Sequence, residues 1–248
     1  MLLNDGLLSR FFYNDATGQW FIPTILYFGL LFAVLVISYL FGSINSSIII
    51  SRLIYRDDVR KHGSGNAGMT NMLRTYGKNA ALLTLAGDLM KTVLALLAAA
   101  LVFGFQYSAG ISWGGPNGEC YLAGLFAVLG HIFPIYYKFK GGKGVLATST
   151  MALVLSPIPF LILFAIFALV VWLSKYVSLG SVIVAMLYPV LLHGYFMFVF
   201  GLPMPALTAL STIVLAIIIV WCHRTNLERI GNRTENKLSF GKKPKNDE

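Results

Sequence analysis

A short segment in the first third of the chain combines glycines with small polar side chains and an arginine. It runs from Gly63 to Asn71, reads GSGNAGMTN, and is followed by Arg74. Closely spaced glycines permit positive φ angles and let backbone N–H groups approach a ligand, as in anion-binding nests. Glycines alone would suit a turn before a helix, but the added hydroxyl, amide and guanidinium groups favour anion binding. The candidate contacts are Gly63, Ser64, Gly65, Asn66, Thr70, Asn71 and Arg74.

A second segment, Lys140–Gly144, places a lysine between glycines in the sequence KGGKG. It lacks the nucleotide-binding pattern G-x-x-x-x-G-K-[ST], because Gly144 follows Lys143 and position 137 holds tyrosine and not glycine. We therefore expect no NTPase, and we take Gly141, Gly142 and Lys143 as candidate ligand contacts. His131, which lies upstream, fits an interhelical contact and a functional role equally well.

A third segment, His223–Arg229, carries His223 and Asn226 three residues apart. On a helix these two side chains would share a face. Ser178, at the start of another apolar run, is an ordinary helix cap that could also direct its hydroxyl toward the same pocket.

The composition places these segments in a membrane protein. Of 248 residues, 57% are hydrophobic and 12% charged, whereas soluble domains average roughly 45–50% apolar and about 25% charged residues. The two cysteines, Cys120 and Cys222, are too few for a disulfide framework or a cysteine-built metal site. We attribute the net charge of +9 to membrane insertion and anionic lipid, and we expect no nucleic-acid partner.

Long apolar runs predict an all-α polytopic bundle, since each is long enough for a membrane-spanning helix and none alternates like a barrel strand. The runs are Phe21–Leu40, Ala80–Phe105, Tyr121–Tyr137, Val145–Val171, Val177–Phe200 and Ala206–Cys222.

The run Val145–Val171 contains Ser156-Pro157-Ile158-Pro159, which breaks a helix. If it forms a hairpin of Val145–Leu155 and Phe160–Leu173, the chain has seven spans. All Lys and Arg except Arg10 and Lys91, 17 of the 19, then lie on one face, as the positive-inside rule requires. We expect the N-terminus outside, the C-terminus cytoplasmic, one domain over residues 1–235, and a basic cytoplasmic tail over 236–248. Asp88 and Lys91, inside the second run, are expected to neutralise each other.

In these motifs and their order, the chain resembles the bacterial acyl-phosphate:glycerol-3-phosphate acyltransferases. The resemblance implies a seven-helix bundle in the bacterial inner membrane with its active site facing the cytoplasm. It also implies transfer of a fatty acyl group from acyl phosphate to the sn-1 hydroxyl of glycerol 3-phosphate, beside membrane lipid, giving lysophosphatidic acid. No cofactor is implied, and the sequence shows no carboxylate cluster suited to a metal.

Under this hypothesis, each candidate residue receives a role. Ser64, Lys143, His223 and Asn226 are the predicted catalytic residues. Gly63, Gly65, Asn66, Thr70, Asn71, Arg74, Gly141, Gly142 and Ser178 are the predicted substrate-binding residues. Ser64, Thr70 and Asn71, with His223 and Asn226, would hold the acyl phosphate, Arg74 and Lys143 would bind glycerol 3-phosphate, and Ser178 would position the glycerol.

Two points of chemistry stay open in the sequence. The hydroxyl proton would pass to a substrate phosphate oxygen or to His223, and we favour the substrate, with His223 as a donor. A Ser64 nucleophile forming an acyl-enzyme is the competing mechanism.

Two other functions also fit the sequence, namely a transporter or exchanger of a phosphorylated solute and a scaffold that binds anionic lipid. Transporters place their polar site near the midplane, often in repeated halves. In this chain the polar residues cluster on one predicted face and no repeat is visible, which favours the enzyme.

Overall fold

The computed structural model describes residues 23–104 and 118–238, together with Leu7 and a small hairpin near the start of the chain. In the hairpin, β1 (Tyr13–Asn14) pairs antiparallel with β2 (Gln19–Trp20). All other regular structure in the described residues is helical, which confirms the all-α prediction. The α-helices are α1 Thr24–Ser43, α2 Ser46–Ile54, α3 Met69–Tyr76, α4 Lys78–Phe103, α5 Gly118–Ile132, α6 Val145–Leu155, α7 Pro157–Ser174, α8 Val177–Tyr195, α9 Ala206–Cys222 and α10 Arg224–Gly231.

Three shorter helical turns complete the described chain. Val59–Lys61 and Ile135–Tyr137 form 3₁₀ turns, and Phe196–Phe200 continues α8 as a π-helix. The predicted break at Ser156-Pro157 is confirmed, since α6 ends at Leu155 and α7 begins at Pro157.

Helix length alone supports fewer spans than the seven that the charge pattern predicts. Within the described residues, five helices are long and apolar enough to cross a membrane, and α9 with α10 would make a sixth. With 11 residues, α6 is about 16 Å long, which is short of a hydrocarbon layer about 30 Å thick. Seven spans, and the orientation of the termini, therefore remain predictions.

The predicted basic tail over residues 236–248 lies mostly outside the described residues, which end at Leu238. Where the tail begins, the Leu238 N–H donates a 2.8 Å hydrogen bond to the carbonyl oxygen of Lys175.

Glycines let α1 and α5 pack backbone against backbone. A Cβ atom added to Gly42 would lie 2.0 Å from the carbonyl oxygen of Ala127, and one added to Gly130 would lie 2.2 Å from that of Tyr39. Small residues of this kind bring membrane helices into close contact. This contact fixes the C-terminal end of α5, after which the second predicted segment follows.

We expect Gly42→Ala to destabilise the protein, because the new methyl group would have to displace a backbone carbonyl. Overpacking of this kind costs about 1–3 kcal/mol. Thermal unfolding of the detergent-solubilised protein measures it. Gly29→Ala on the same helix is the control, since nothing lies within 4 Å of its added Cβ. Equal melting temperatures for both variants would contradict the close packing.

Candidate active site

A cavity of about 480 Å³ brings the three sequence segments together. Its polar wall contains side chains from all three, namely Ser64, Asn66, Thr70, Asn71, Arg74, Lys143, Ser178, His223, Asn226 and Glu235. Gly142 also lines it, whereas Gly63, Gly65 and Gly141 do not. The three segments, far apart in sequence, therefore form one site.

The side chain of Asn71 holds the first segment in shape. Its Oδ1 accepts a 3.0 Å hydrogen bond from the Ser64 N–H, and its Nδ2 lies 3.0 Å from the carbonyl oxygens of Val59, His62 and Asn66. Its amide is thus fully occupied by loop backbone. We had expected Asn71 to contact substrate, but this geometry gives it the task of organising the loop.

Gly63 is the glycine that this arrangement requires. It has a φ of +57°, and an added Cβ would lie 2.2 Å from Asn71 Oδ1. Any larger residue would push the amide out of the loop.

Several loop N–H groups that could have bound an anion are already bonded. Besides Ser64, the N–H groups of Gly65 and Gly68 donate to loop carbonyl oxygens. The N–H groups of the segment that have no hydrogen-bond partner in the described residues include those of Asn66, Ala67, Met69 and Thr70. Met69 and Thr70 begin α3, so their N–H groups have no partner in its helical ladder.

Gly141 and Gly142 serve close packing against the end of α5. Their N–H groups donate to the carbonyl oxygens of Ile132 and His131, each at 3.1 Å. A Cβ on Gly141 would lie 2.0 Å from the His131 carbonyl oxygen, and one on Gly142 would lie 2.2 Å from His131 Nε2. Because these glycines pack closely against His131, the chain can pass over the buried histidine and place Lys143 in the cavity wall.

Arg60 joins the first two segments. Its guanidinium pairs with Asp58 at 2.7 Å and donates to the carbonyl oxygens of Tyr137 and Lys140 at 3.4 and 3.2 Å. The loops that carry Ser64 and Lys143 are consequently held together outside the cavity.

Glu235 joins the third segment to the start of α8 and, through Asn226, to Lys143 of the second segment. Its carboxylate accepts hydrogen bonds from Ser178 Oγ at 2.9 Å, Asn226 Nδ2 at 2.6 Å and Arg229 Nε at 2.8 Å. Because a carboxylate only accepts, it fixes the Asn226 amide with Oδ1 turned toward Lys143. Lys143 Nζ donates to that oxygen. Asn226 thus has both amide atoms engaged and positions the lysine.

The ionisation of this group is shifted by burial and by its neighbours. The pKa of Lys143 is lowered to about 8, chiefly by burial; the charge of Glu235 opposes this shift, and the charges of Arg229 and Arg74 contribute to it. Burial, followed by the charge of Lys143, lowers the pKa of His223 to about 4. Burial acts to raise the pKa of Glu235, but the hydrogen bonds from Arg229, Asn226 and Ser178 outweigh it, so that the pKa is lowered.

His223 is therefore neutral near pH 7, and its tautomer follows from geometry. Its Nδ1 lies 2.8 Å from the carbonyl oxygen of Ile219, which can only accept, so Nδ1 carries the proton. The other ring nitrogen, Nε2, is then a hydrogen-bond acceptor. The expectation that His223 acts as a donor is wrong for this tautomer.

The positive ends of four helices lie at the cavity. The first residues of α3, α6, α8 and α10, or the residues just before them, line its wall. None of these four N-termini has a side-chain cap. Uncapped N–H groups and the helix dipole both favour a bound anion.

Arg74 adds a free cation at the exposed edge. Within residues 23–104 and 118–238, its guanidinium forms no hydrogen bond or ion pair, and it lines the cavity. It therefore has its full set of donors available for a phosphate group.

The opposite side of the cavity is apolar. It is lined by Ala152 of α6, Phe160, Leu163, Phe164 and Phe167 of α7, Val184, Ala185 and Tyr188 of α8, and Ile219 of α9. Phe164 is 57% exposed on the surface of the bundle, so this groove reaches the apolar exterior. The cavity can hold a molecule with a charged head and an apolar tail.

Asp88 and Lys91 form the expected ion pair on α4, with Lys91 Nζ 2.9 Å from Asp88 Oδ1. Across residues 23–104 and 118–238, no group of three or more His, Cys, Asp or Glu side chains could hold a metal ion. The sequence alone assigns no role to Glu235. This residue follows the third segment, but no helical or motif spacing identifies its partners.

Comparison with known proteins decides between the functions left open. The glycerol-3-phosphate acyltransferase family model matches residues 32–233. The chain belongs to the glycerol-3-phosphate acyltransferase family. The enzyme hypothesis is thereby confirmed, and the protein is an acyltransferase in a membrane.

Individual relatives of this acyltransferase match over nearly their whole length. The glycerol-3-phosphate acyltransferase of Bacillus subtilis is 36% identical over 83% of this chain and 96% of its own. That of Mycoplasmopsis agalactiae is 39% identical over 82% and 91%. The crystal structure of PlsY (YgiH), an integral membrane glycerol 3-phosphate acyltransferase in its glycerol 3-phosphate form, is 30% identical with a TM-score of 0.71, covering 84% of this chain and 96% of PlsY.

We expect Lys143→Ala to abolish turnover by the acyltransferase, because it removes the buried ammonium group from the cavity wall. Losing such a contact to developing charge costs about 10²–10³ in kcat. Phosphate release and the thermal melt, measured together, separate catalysis from folding. Lys140→Ala is the control, since Lys140 is exposed and lies outside the cavity. Equal losses of activity in both variants would mean that turnover depends on the overall positive charge and not on Lys143 in particular.

The shifted pKa of Lys143 predicts an alkaline limit to activity. Above pH 8, the free enzyme loses the lysine charge, so kcat/KM for glycerol 3-phosphate should fall as the pH rises from 7 to 10. In Lys143→Arg the charge persists, and the fall should move to higher pH. A kcat/KM profile of both proteins tests this, and the same alkaline limb in both would exclude Lys143 as its origin.

Proposed function

We propose that the enzyme transfers a fatty acyl group from acyl phosphate to the sn-1 hydroxyl of glycerol 3-phosphate, giving lysophosphatidic acid and inorganic phosphate. One observation carries this proposal: a cation-lined polar site opens directly into an apolar groove between α6, α7 and α8. Acyl phosphate has a charged head on an apolar chain, which matches that arrangement.

Arg74 and Lys143 bind the phosphate of glycerol 3-phosphate. Arg74 supplies a planar fork for two phosphate oxygens, and Lys143 supplies a compact charge. Asn226 accepts from Lys143 Nζ and is itself held by Glu235. The lysine is thus held in place before the substrate arrives, which reduces the entropy cost of binding.

The phosphoryl group of the acyl donor lies at the first segment. Ser64 and Thr70 contribute hydroxyl groups, and the start of α3 contributes free N–H groups and the positive end of its dipole. Asn71 and Gly63 act indirectly by keeping the loop in shape.

Ser178 and His223 orient the attacking hydroxyl. Ser178 Oγ donates its proton to Glu235, so its lone pairs face the substrate as acceptors. His223 Nε2 is also an acceptor. With a pKa of about 4 it is a weaker base than a phosphate monoester, whose second pKa is about 6. The hydroxyl proton therefore passes to the phosphate that leaves.

Direct transfer is favoured over an acyl-enzyme at Ser64. The Ser64 hydroxyl accepts a 3.4 Å hydrogen bond from Asn66 Nδ2, and within the described part of the chain it has no histidine partner to act as a base. Acyl phosphate is already activated, so proximity and orientation suffice.

We place the enzyme in the bacterial inner membrane with seven spans, an external N-terminus and this site at the cytoplasmic face. The basic loops beside the cavity support that orientation. Protease cleavage of a C-terminal tag in inverted vesicles, with protection in right-side-out vesicles, tests it, and the opposite pattern would refute it.

We expect the purified enzyme to use acyl phosphate and to ignore acyl-CoA and acyl carrier protein as donors, because the cavity has room for a phosphoryl head and a chain. The measurement is lysophosphatidic acid formation from each donor at equal concentration. Lys143→Ala serves as the inactive control. Efficient turnover with acyl-CoA alone would disprove the assigned donor.

A further inference from the structure

A buried cluster on α4 and α5 lies directly behind the glycines of the second segment. Asp88, Lys91 and His131 are only 1%, 3% and 4% exposed. Lys91 Nζ lies 2.8 Å from the carbonyl oxygen of Ile44, 2.9 Å from Asp88 Oδ1 and 2.8 Å from His131 Nδ1. The contacts with Ile44 and His131 are hydrogen bonds, and the contact with Asp88 is an ion pair.

This geometry fixes the tautomer of His131. A lysine ammonium group has donors and no acceptor, so His131 Nδ1 must accept from Lys91. In the neutral ring, the proton is then on Nε2. Asp88 and Lys91 offset each other's charge, and the imidazole remains uncharged and oriented.

The Nε2–H of His131 has no partner in the described residues. A Cβ on Gly142 would lie 2.2 Å from Nε2, which shows that the nitrogen lies against the backbone of the Lys143 loop. His131 also lines the cavity. A donor that lines a cavity and has no protein partner is available to a bound ligand.

Thr148 provides a second donor of this kind. Its Oγ1 is buried without a hydrogen-bond partner in the described residues, and Thr148 lines the same cavity. Gly144, Thr148 and Ala152 share one face of α6. At 1.5 Å per residue, Thr148 lies about 6 Å along the helix from each of the other two. Thr148 therefore lies between the Lys143 loop and the apolar groove.

The carbonyl group of an acyl phosphate occupies that same boundary, because it joins the phosphoryl head to the chain. We propose that His131 Nε2–H and Thr148 Oγ1–H donate hydrogen bonds to the acyl carbonyl oxygen and form the oxyanion hole of the transfer. Asp88 and Lys91 are positioning residues that hold His131 in the donor tautomer. This inference rests on the function proposed above.

The step balances without a further reactant. The glycerol hydroxyl oxygen bonds to the carbonyl carbon, and the carbonyl electron pair moves onto oxygen, where the two donors stabilise it. When the carbonyl re-forms, the bond from carbon to the phosphate oxygen breaks. The phosphate leaves with that electron pair and takes the hydroxyl proton.

Two pairs of variants test the donors by steady-state kinetics of the full-length detergent-solubilised enzyme. Thr148→Val removes the hydroxyl and should lower kcat at least tenfold, whereas Thr148→Ser should retain most of it. His131→Asn keeps an acceptor for Lys91 but is too short to place a donor at the position of Nε2, and should lower kcat by about 10²–10³. In both damaging variants, KM for glycerol 3-phosphate should stay close to the wild-type value.

Thr150→Val is the matched control, since the Thr150 hydroxyl donates to the carbonyl oxygen of Leu146 and lies outside the cavity. If Thr148→Val and His131→Asn keep full kcat, or if their losses fall on KM for glycerol 3-phosphate, the oxyanion hole is wrong while the proposed function stands. If the wild type forms no product from acyl phosphate, the proposed function fails and this inference with it. Should His131→Asn fail to fold, the Thr148 pair decides.

The tautomer has its own readout. In ¹⁵N-histidine-labelled enzyme, the resonances absent from His131→Asn belong to His131 and should show a protonated Nε2 and an unprotonated Nδ1. Lys91→Met should shift that ring toward the other tautomer, which a merely structural lysine would not do. A wild-type His131 protonated on Nδ1 would overturn the proposal.

Discussion

The carboxylate of Glu235 is the contact on which the arrangement of the catalytic groups depends. It accepts from the start of α8, from α10 and from Arg229, and through Asn226 it sets the position of Lys143. Without these contacts, an ammonium group that is partly buried would lose its charge more readily or turn toward water. The same carboxylate turns the lone pairs of Ser178 inward. The side chain of Glu235 thus orients the polar groups that we propose bind the anionic substrates.

The charge balance of the cavity supports the proposal that two phosphate-bearing substrates meet there. Arg74 and Lys143 contribute full charges, and four helix N-termini contribute partial ones. The deeper groups stay neutral as a set, since Asp88 and Lys91 offset each other and the imidazole of His131 is uncharged. Positive charge is therefore concentrated at the mouth, where we propose that the phosphates bind, and the lining becomes apolar toward the groove.

Much of the fold and of the candidate site could be predicted from the sequence. Hydropathy set the bounds of α6 and α9, and the proline pair marked the break at Ser156, because both signals are local. The three motifs indicated the site for the same reason. The roles of Asn71 and Asn226 could not be read in this way, since an amide at a binding position and an amide that braces one have the same sequence signature.

What the sequence left out depends on contacts between distant elements. The tautomers of His131 and His223 follow from neighbours on other turns and helices, and the importance of Glu235 follows from its contacts with both α8 and α10. The number of spans is another case, because the length of α6 alone falls short of the bilayer and its place depends on the helices around it.

The most direct test of the central claim is a crystal or cryo-electron microscopy structure of the enzyme with glycerol 3-phosphate and a non-hydrolysable acyl phosphonate. We predict the glycerol phosphate within hydrogen-bonding distance of Lys143 Nζ and Arg74, the phosphonate at the start of α3, and the acyl chain between α6, α7 and α8. A phosphate bound away from Lys143, or a chain lying elsewhere on the bundle, would contradict the account.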